Sequence, residues 1–160
     1  MEKKNVRVIL WGIGAMGKGM AEMLLNKKGV EIVGVAGRTY RLGKSMYEYL
    51  DVERGDRPDV IIGTYDEVIT EKAADVVLIA TDSFTKDTFD KIKHCLENKI
   101  NVISTAEEMA YPQAQEPELS KELDRIAKES GVTVLGTGIN PGLIMDLLVI
   151  TLTGACIDVD

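Results

Sequence analysis

Apolar positions in this 160-residue chain come in short blocks, separated by polar stretches with helical spacing. Val6-Arg7-Val8-Ile9-Leu10-Trp11 is short, mostly apolar and β-branched, and Gly12 stops it, which predicts a buried strand. Met16, Met20, Ala21, Met23 and Leu24 then recur at helical spacing until Asn26-Lys27-Lys28-Gly29 ends the run. Glu31-Ile32-Val33-Gly34-Val35-Ala36 reads as a second strand. Strand, glycine turn, helix and strand together make one βαβ unit of about 30 residues.

The alternation continues beyond that unit. Val60-Ile61-Ile62 predicts a short strand, and "DVVLIA" at 75–80 a stronger one. Phe89, Ile92 and Leu96 mark a helix face within 85–97, "NVIST" at 101–105 is the next strand, and Leu119, Leu123, Ile126 and Ala127 mark another helix. Gly131 caps that helix, and Val132-Thr133-Val134-Leu135 follows as a strand. Residues 39–58 are read as a helix over 42–50 and then a loop through Gly55 and Pro58. This rhythm predicts an α/β fold, a doubly wound parallel sheet with helices on both faces. The stretch "PGLIMDLLVITLT" at 141–153 departs from it, being a mostly apolar helix that needs a partner surface.

Composition narrows the class. The chain is 45% hydrophobic, 28% charged and only 5% aromatic, so it is globular with an aliphatic core. A formal charge of −7 argues against nucleic acid and anionic membranes as partners. No segment approaches a membrane-spanning length and the N-terminus does not read as a signal peptide. Cys95 and Cys156 suggest neither a disulfide framework nor a metal site, and a cytoplasmic location is expected.

The glycine motif gains its meaning from this context. Gly12-x-Gly14-x-x-Gly17 lies between the first strand and helix, where a Rossmann-type dinucleotide-binding domain needs it. Gly12 permits the turn, Gly14 lets a pyrophosphate approach the backbone, and Gly17 allows close helix–strand packing. Ile13, Ala15 and Met16 complete the cradle, and the helix N-terminus offers its free N–H groups. At the end of the second strand an NAD site usually places an acid; here stand Arg38 and Thr39. Arg38 pairs with a 2′-phosphate and Thr39 adds a hydroxyl, so NADP is the expected cofactor, with NAD not excluded.

Other strand ends are polar as well. Thr81, Asp82 and Ser83 follow the 75–80 strand, where they either approach the cofactor riboses or, through Ser83 or Thr85, cap the next helix. Thr105 closes its strand beside the cofactor, and Glu107-Glu108 put paired carboxylates where a nicotinamide would lie. Acid–base catalysis and helix-start stabilisation are both open to them. Asn140 and Pro141, in "GTGINPG" at 136–142, are placed with the cofactor too. His94 is read as a surface residue and Trp11 as core.

The motifs "GIGAMGKGM", "GVAGRTYRLGK", "NVISTAEEMAYP" and "GTGINPGLIMD" extend over almost the whole chain. Together they resemble the 2,4-diaminopentanoate dehydrogenases and related native amine dehydrogenases, whose cofactor domain is like that of dihydrodipicolinate reductase. The resemblance implies NAD(P)-dependent oxidative deamination of a diamino acid, 2,4-diaminopentanoate, to 2-amino-4-oxopentanoate and ammonia. It carries the family's acidic active-site residue onto the Glu107–Glu108 pair. It also implies a homodimer for the full-length protein and a second α+β domain. Residues 1–140 are then the cofactor domain, and 141–160 open a truncated second domain for substrate and dimerisation. On that basis the 160 residues are expected to bind NADP without turning over substrate. Two other readings stay open: an NADP-dependent imine or aldehyde reductase, and a non-catalytic NADP-binding sensor.

Overall fold

The computed structural model describes residues 4–159. Six parallel strands form one sheet: β1 (Val6–Trp11), β2 (Val30–Ala36), β3 (Ile62–Gly63), β4 (Val76–Ile79), β5 (Asn101–Ser104) and β6 (Val134–Gly136). Their spatial order is β3-β2-β1-β4-β5-β6, so the direction of winding reverses between β1 and β4. A doubly wound sheet binds its ligands at such a reversal, outside the carboxyl ends of the strands.

The period-two alternation of the strands divides the core. Val8 and Leu10 of β1 face one side, with Val35 and Ile62 and with Ala21 and Leu24 of helix α1 (Ala15–Leu25). Ile9 faces the other, with Val77 and Ile79 of β4. There it meets helices α3 (Thr85–Glu97) and α5 (Pro117–Ser130), through Ile92, Leu96, Leu123 and Ile126. Between these helices lie two single turns, α2 (Tyr65–Val68) and α4 (Pro112–Gln115). Gly131 ends α5 in the left-handed conformation at φ +68°, as a C-terminal glycine does.

Three expectations need correction. Residues 42–50 do not form a helix: only a 3-10 turn, Met46–Tyr49, is present. Ser45 begins that turn through a capping box with Glu48, Gly43 stands at φ +76°, and Ser45 bridges to Ile61, so the backbone on either side is committed elsewhere. The methionines of α1 are not its buried stripe: Met16 and Met23 are exposed, and Gly17, Ala21 and Leu24 are buried. Close approach of this helix to β1 admits only small side chains near its start. The tail does not become helical at Pro141, because Asn140, Pro141 and Gly142 all have non-helical dihedrals. Helical structure follows up to a last turn, α6 (Val149–Thr153), and its apolar residues from Leu143 to Leu152 are exposed.

Candidate cofactor cleft and carboxylate turn

A cleft of about 390 Å³ opens at the carboxyl ends of β1, β2 and β4. The phosphate loop forms its floor, and the three glycines have separable reasons for being there. A Cβ on Gly17 would lie 2.0 Å from the Gly12 carbonyl oxygen, so helix and strand meet without a side chain between them. Gly12, at φ +100°, would drive a Cβ to 2.6 Å from Thr81 Cγ2. A Cβ on Gly14 would meet nothing within 4 Å, so its lack of a side chain leaves open space rather than packing room. Gly14 caps α1 with no side-chain hydrogen bond, and its own N–H has no partner among the described residues. This is the cradle that a pyrophosphate requires.

The second wall comes from the chain after β2. Arg38 lines the cleft and is exposed, and its side chain makes no hydrogen bond or ion pair among the described residues. Thr39 opens a 3-10 turn, Thr39–Arg41, and lies on the outer side in a neighbouring depression with Thr64 and Asp66. Arg41 was not anticipated from the sequence. Its guanidinium donates to the Ile13 carbonyl of the phosphate loop and lies 4.7 Å from the ring centre of Tyr49 and 5.2 Å from that of Tyr40.

The third wall is the end of β4. Thr81 Oγ1 donates to the Asp82 carboxylate, which also pairs with Lys91, and Lys91 Nζ lies 3.2 Å from Thr81 Oγ1. Lys91 reaches the cleft from α3, nine positions after Asp82, and it too was missed. Its only sequence signal is its position about two turns into the helix that follows the 75–80 strand. Trp11 is not wholly core: it lines the cleft and stacks on Tyr65, centres 5.3 Å apart. His94 is correspondingly half-buried, edge-on to both rings, with Nε2 3.2 Å from the Ile69 carbonyl oxygen.

The paired carboxylates lie one strand further along. A 3-10 turn, Glu107–Ala110, follows β5 and packs tightly on β6, where a Cβ on Gly136 would lie 1.9 Å from the Met109 carbonyl oxygen. Within it the two acids diverge. Glu108 Oε2 accepts the Thr85 N–H at 2.9 Å, and the Glu108 N–H donates to the Ser83 carbonyl at 3.2 Å. Neither Ser83 nor Thr85 caps α3 through its hydroxyl; the cap position is Phe84, and a carboxylate 23 residues later serves its first turn. Glu107 is exposed and its carboxylate has no partner among the described residues. Thr105 is half-buried, its N–H bonded to the Ile79 carbonyl, which ties the β4 and β5 ends together. The 136–142 turn stands beside them: Thr137 N–H donates to Ser104, Pro141 is buried and Asn140 exposed.

A glycine loop at the reversal point, opening the helix that follows the first strand, is the arrangement of dinucleotide-binding folds. A family described as "Oxidoreductase family, NAD-binding Rossmann fold" matches residues 6–137. The chain belongs to that family. It is 70% identical, over 99% of its length, to the 2,4-diaminopentanoate dehydrogenase of Acetoanaerobium sticklandii, of which it covers 44%. Among solved structures, an amine dehydrogenase from Mycobacterium smegmatis matches at TM-score 0.83 and 32% identity, over 98% of this chain and 46% of that one. GenD2 from gentamicin A biosynthesis, solved in complex with NAD, matches at TM-score 0.61 and 23% identity, over 83% of this chain and 34% of that one, and shares the fold. The chain thus spans less than half the length of the relatives it matches.

Proposed function

We propose that this chain is the cofactor-binding part of an NAD(P)-dependent amine dehydrogenase that oxidatively deaminates 2,4-diaminopentanoate, giving 2-amino-4-oxopentanoate and ammonia. One observation carries the reading: the 70% identity to a 2,4-diaminopentanoate dehydrogenase runs over 99% of the chain, cleft and carboxylate turn alike. The nicotinamide, when bound, accepts the hydride from the carbon bearing the amine. The phosphate loop binds the pyrophosphate through Gly14 and the start of α1, with Ile13, Ala15 and Met16 around it. Arg38 selects NADP by pairing with its 2′-phosphate, since no carboxylate of the β2 end repels it. Thr81 and Asp82 stand at the ribose side of the cleft.

Glu107 is the proton acceptor in this reading. Before hydride leaves, the substrate ammonium loses a proton, and a base must receive it. Glu108 is engaged by the first turn of α3, whereas the Glu107 carboxylate is unpartnered among the described residues at the same strand end. That proton passes to solvent, and the restored carboxylate takes another from the water that attacks the iminium carbon. Residues 141–160 begin the second, substrate-shaping domain, which also forms the homodimer contact, and the protein works in the cytoplasm. The test is a chain continued to the relatives' full length and assayed for NADP-dependent ammonia release. Glu107→Gln should lower kcat by about 100-fold or more, as loss of a general base does. Glu108→Gln, which keeps an acceptor for Thr85, should retain most of it. Equal, near-normal turnover in both variants contradicts the assignment.

A further inference from the structure

We infer that Arg41 is a positioning residue for the phosphate loop, a clasp that sets the orientation of the Ile13–Gly14 peptide so that the Gly14 N–H is presented to a diphosphate. The inference rests on the cofactor reading above and adds a second, mechanically different cation to it. Arg41 donates to the Ile13 carbonyl across 28 residues of sequence, from the turn after β2 to the loop after β1. That peptide is planar and trans, so fixing the carbonyl fixes the N–H on the opposite side of the same plane. The Gly14 N–H is the group left without a partner among the described residues, in open space at the start of α1.

Two observations show that the guanidinium is held rather than free. Tyr49, from the capped Met46–Tyr49 turn, has its ring centre 4.7 Å from Cζ, and Tyr40 lies at 5.2 Å. Arg41 Nε is buried without a hydrogen-bond partner among the described residues, an uncommon state for a donor carrying part of a positive charge. Arg38 differs on every count: it is exposed, its side chain has no hydrogen bond or ion pair among the described residues, and it meets Arg41 only through the backbone, where the Arg41 N–H donates to the Arg38 carbonyl at 2.8 Å. The two arginines therefore divide the cofactor, Arg41 serving the diphosphate common to both dinucleotides and Arg38 the 2′-phosphate that separates them.

Calorimetric titration with ADP-ribose and with 2′-phospho-ADP-ribose distinguishes these roles. For Arg41→Gln, both ligands should weaken by about tenfold and by the same factor, with the melting temperature unchanged. For Arg38→Ala, only the 2′-phosphorylated ligand should weaken. ADP-ribose affinity within about twofold of the wild type in Arg41→Gln, or a loss confined to the phosphorylated ligand, overturns the clasp. If Arg41→Gln does not fold, Tyr49→Leu, which removes the ring beside the guanidinium, is read in the same way. Weaker ADP-ribose binding supports the clasp, and unchanged binding overturns it. Failure of the wild-type chain to bind either ligand overturns the cofactor reading and the clasp together.

Discussion

The cleft at the ends of β1, β2 and β4 and the tail at 139–159 both draw on aliphatic residues, yet they stand in opposite states. Around the cleft every apolar side chain of β1 from Val8 to Leu10 is buried, and the polar side chains of Arg38, Arg41, Thr81, Asp82 and Lys91 line the opening at the strand ends. Along the tail, Leu143, Ile144, Leu147, Leu148, Ile150 and Leu152 are all exposed, in a helix with no sheet face beneath it. The difference shows what hydrophobic patterning does and does not encode. It specifies that a residue is to be covered, and the local topology decides whether the cover lies within the same layer. Contiguous apolar exposure of this kind is uncommon on soluble monomers and marks either an interaction surface or an aggregation liability.

The comparison breaks first in stability. Ile92, fully buried between α3 and the sheet, should lose about 2–5 kcal/mol on replacement by Ala. Ile150, 70% exposed in α6, should change stability by less than about 0.5 kcal/mol with the same substitution. Chemical denaturation of both variants checks this. A tail variant as damaging as the core variant would mean that the tail packs on the domain.

A second contrast lies within the phosphate loop. Gly17→Ala places a methyl 2.0 Å from the Gly12 carbonyl oxygen and should destabilise by about 1–3 kcal/mol as α1 is pushed off β1. Gly14→Ala meets open space and should leave the melting temperature nearly unchanged while weakening dinucleotide binding. A Gly14 variant that binds normally would remove the reason given for that glycine.

How much of this was legible beforehand follows the same division. The doubly wound α/β class, α3 and α5 were readable because their periodicity is strong and local: Phe89, Ile92 and Leu96 recur on one face, and Gly131 marks a helix end. The glycine loop was readable because backbone geometry alone demands those residues. Residues 42–50 misled because Met46 and Leu50 mimic a helical face, while Ser45 and its bridge to Ile61 hold the backbone out of one. Arg41, Lys91 and the Glu108 cap were invisible for a different reason. Each depends on a partner 9 to 28 residues away, and no local pattern announces a pairing that only the tertiary fold creates.

The smallest expected effect lies at the opposite end of the sheet, away from the cleft. There the Arg7 N–H donates to Asp75 Oδ2 at 2.7 Å, which holds the Asp75 carboxyl below its ordinary range. A folded-state value below the unfolded one stabilises the fold above the unfolded pKa of about 3.9, and that contribution is lost as pH falls through the lower folded value. Thermal melts should therefore show a slightly shallower acid decline in Asp75→Asn than in the wild type. Coincident curves would mean that the pairing contributes nothing, which its exposure to solvent already limits.

The most direct test of the account is calorimetric titration of the chain with NADP+ and NAD+, in the wild type and in Arg38→Ala. The wild type should bind both and prefer NADP+. Arg38→Ala should lose about 1.5–3 kcal/mol of NADP+ affinity, the worth of a charge-assisted hydrogen bond, with NAD+ affinity nearly unchanged. Equal losses for the two cofactors would contradict the role given to Arg38, and no binding of either by the wild type would contradict the cleft itself.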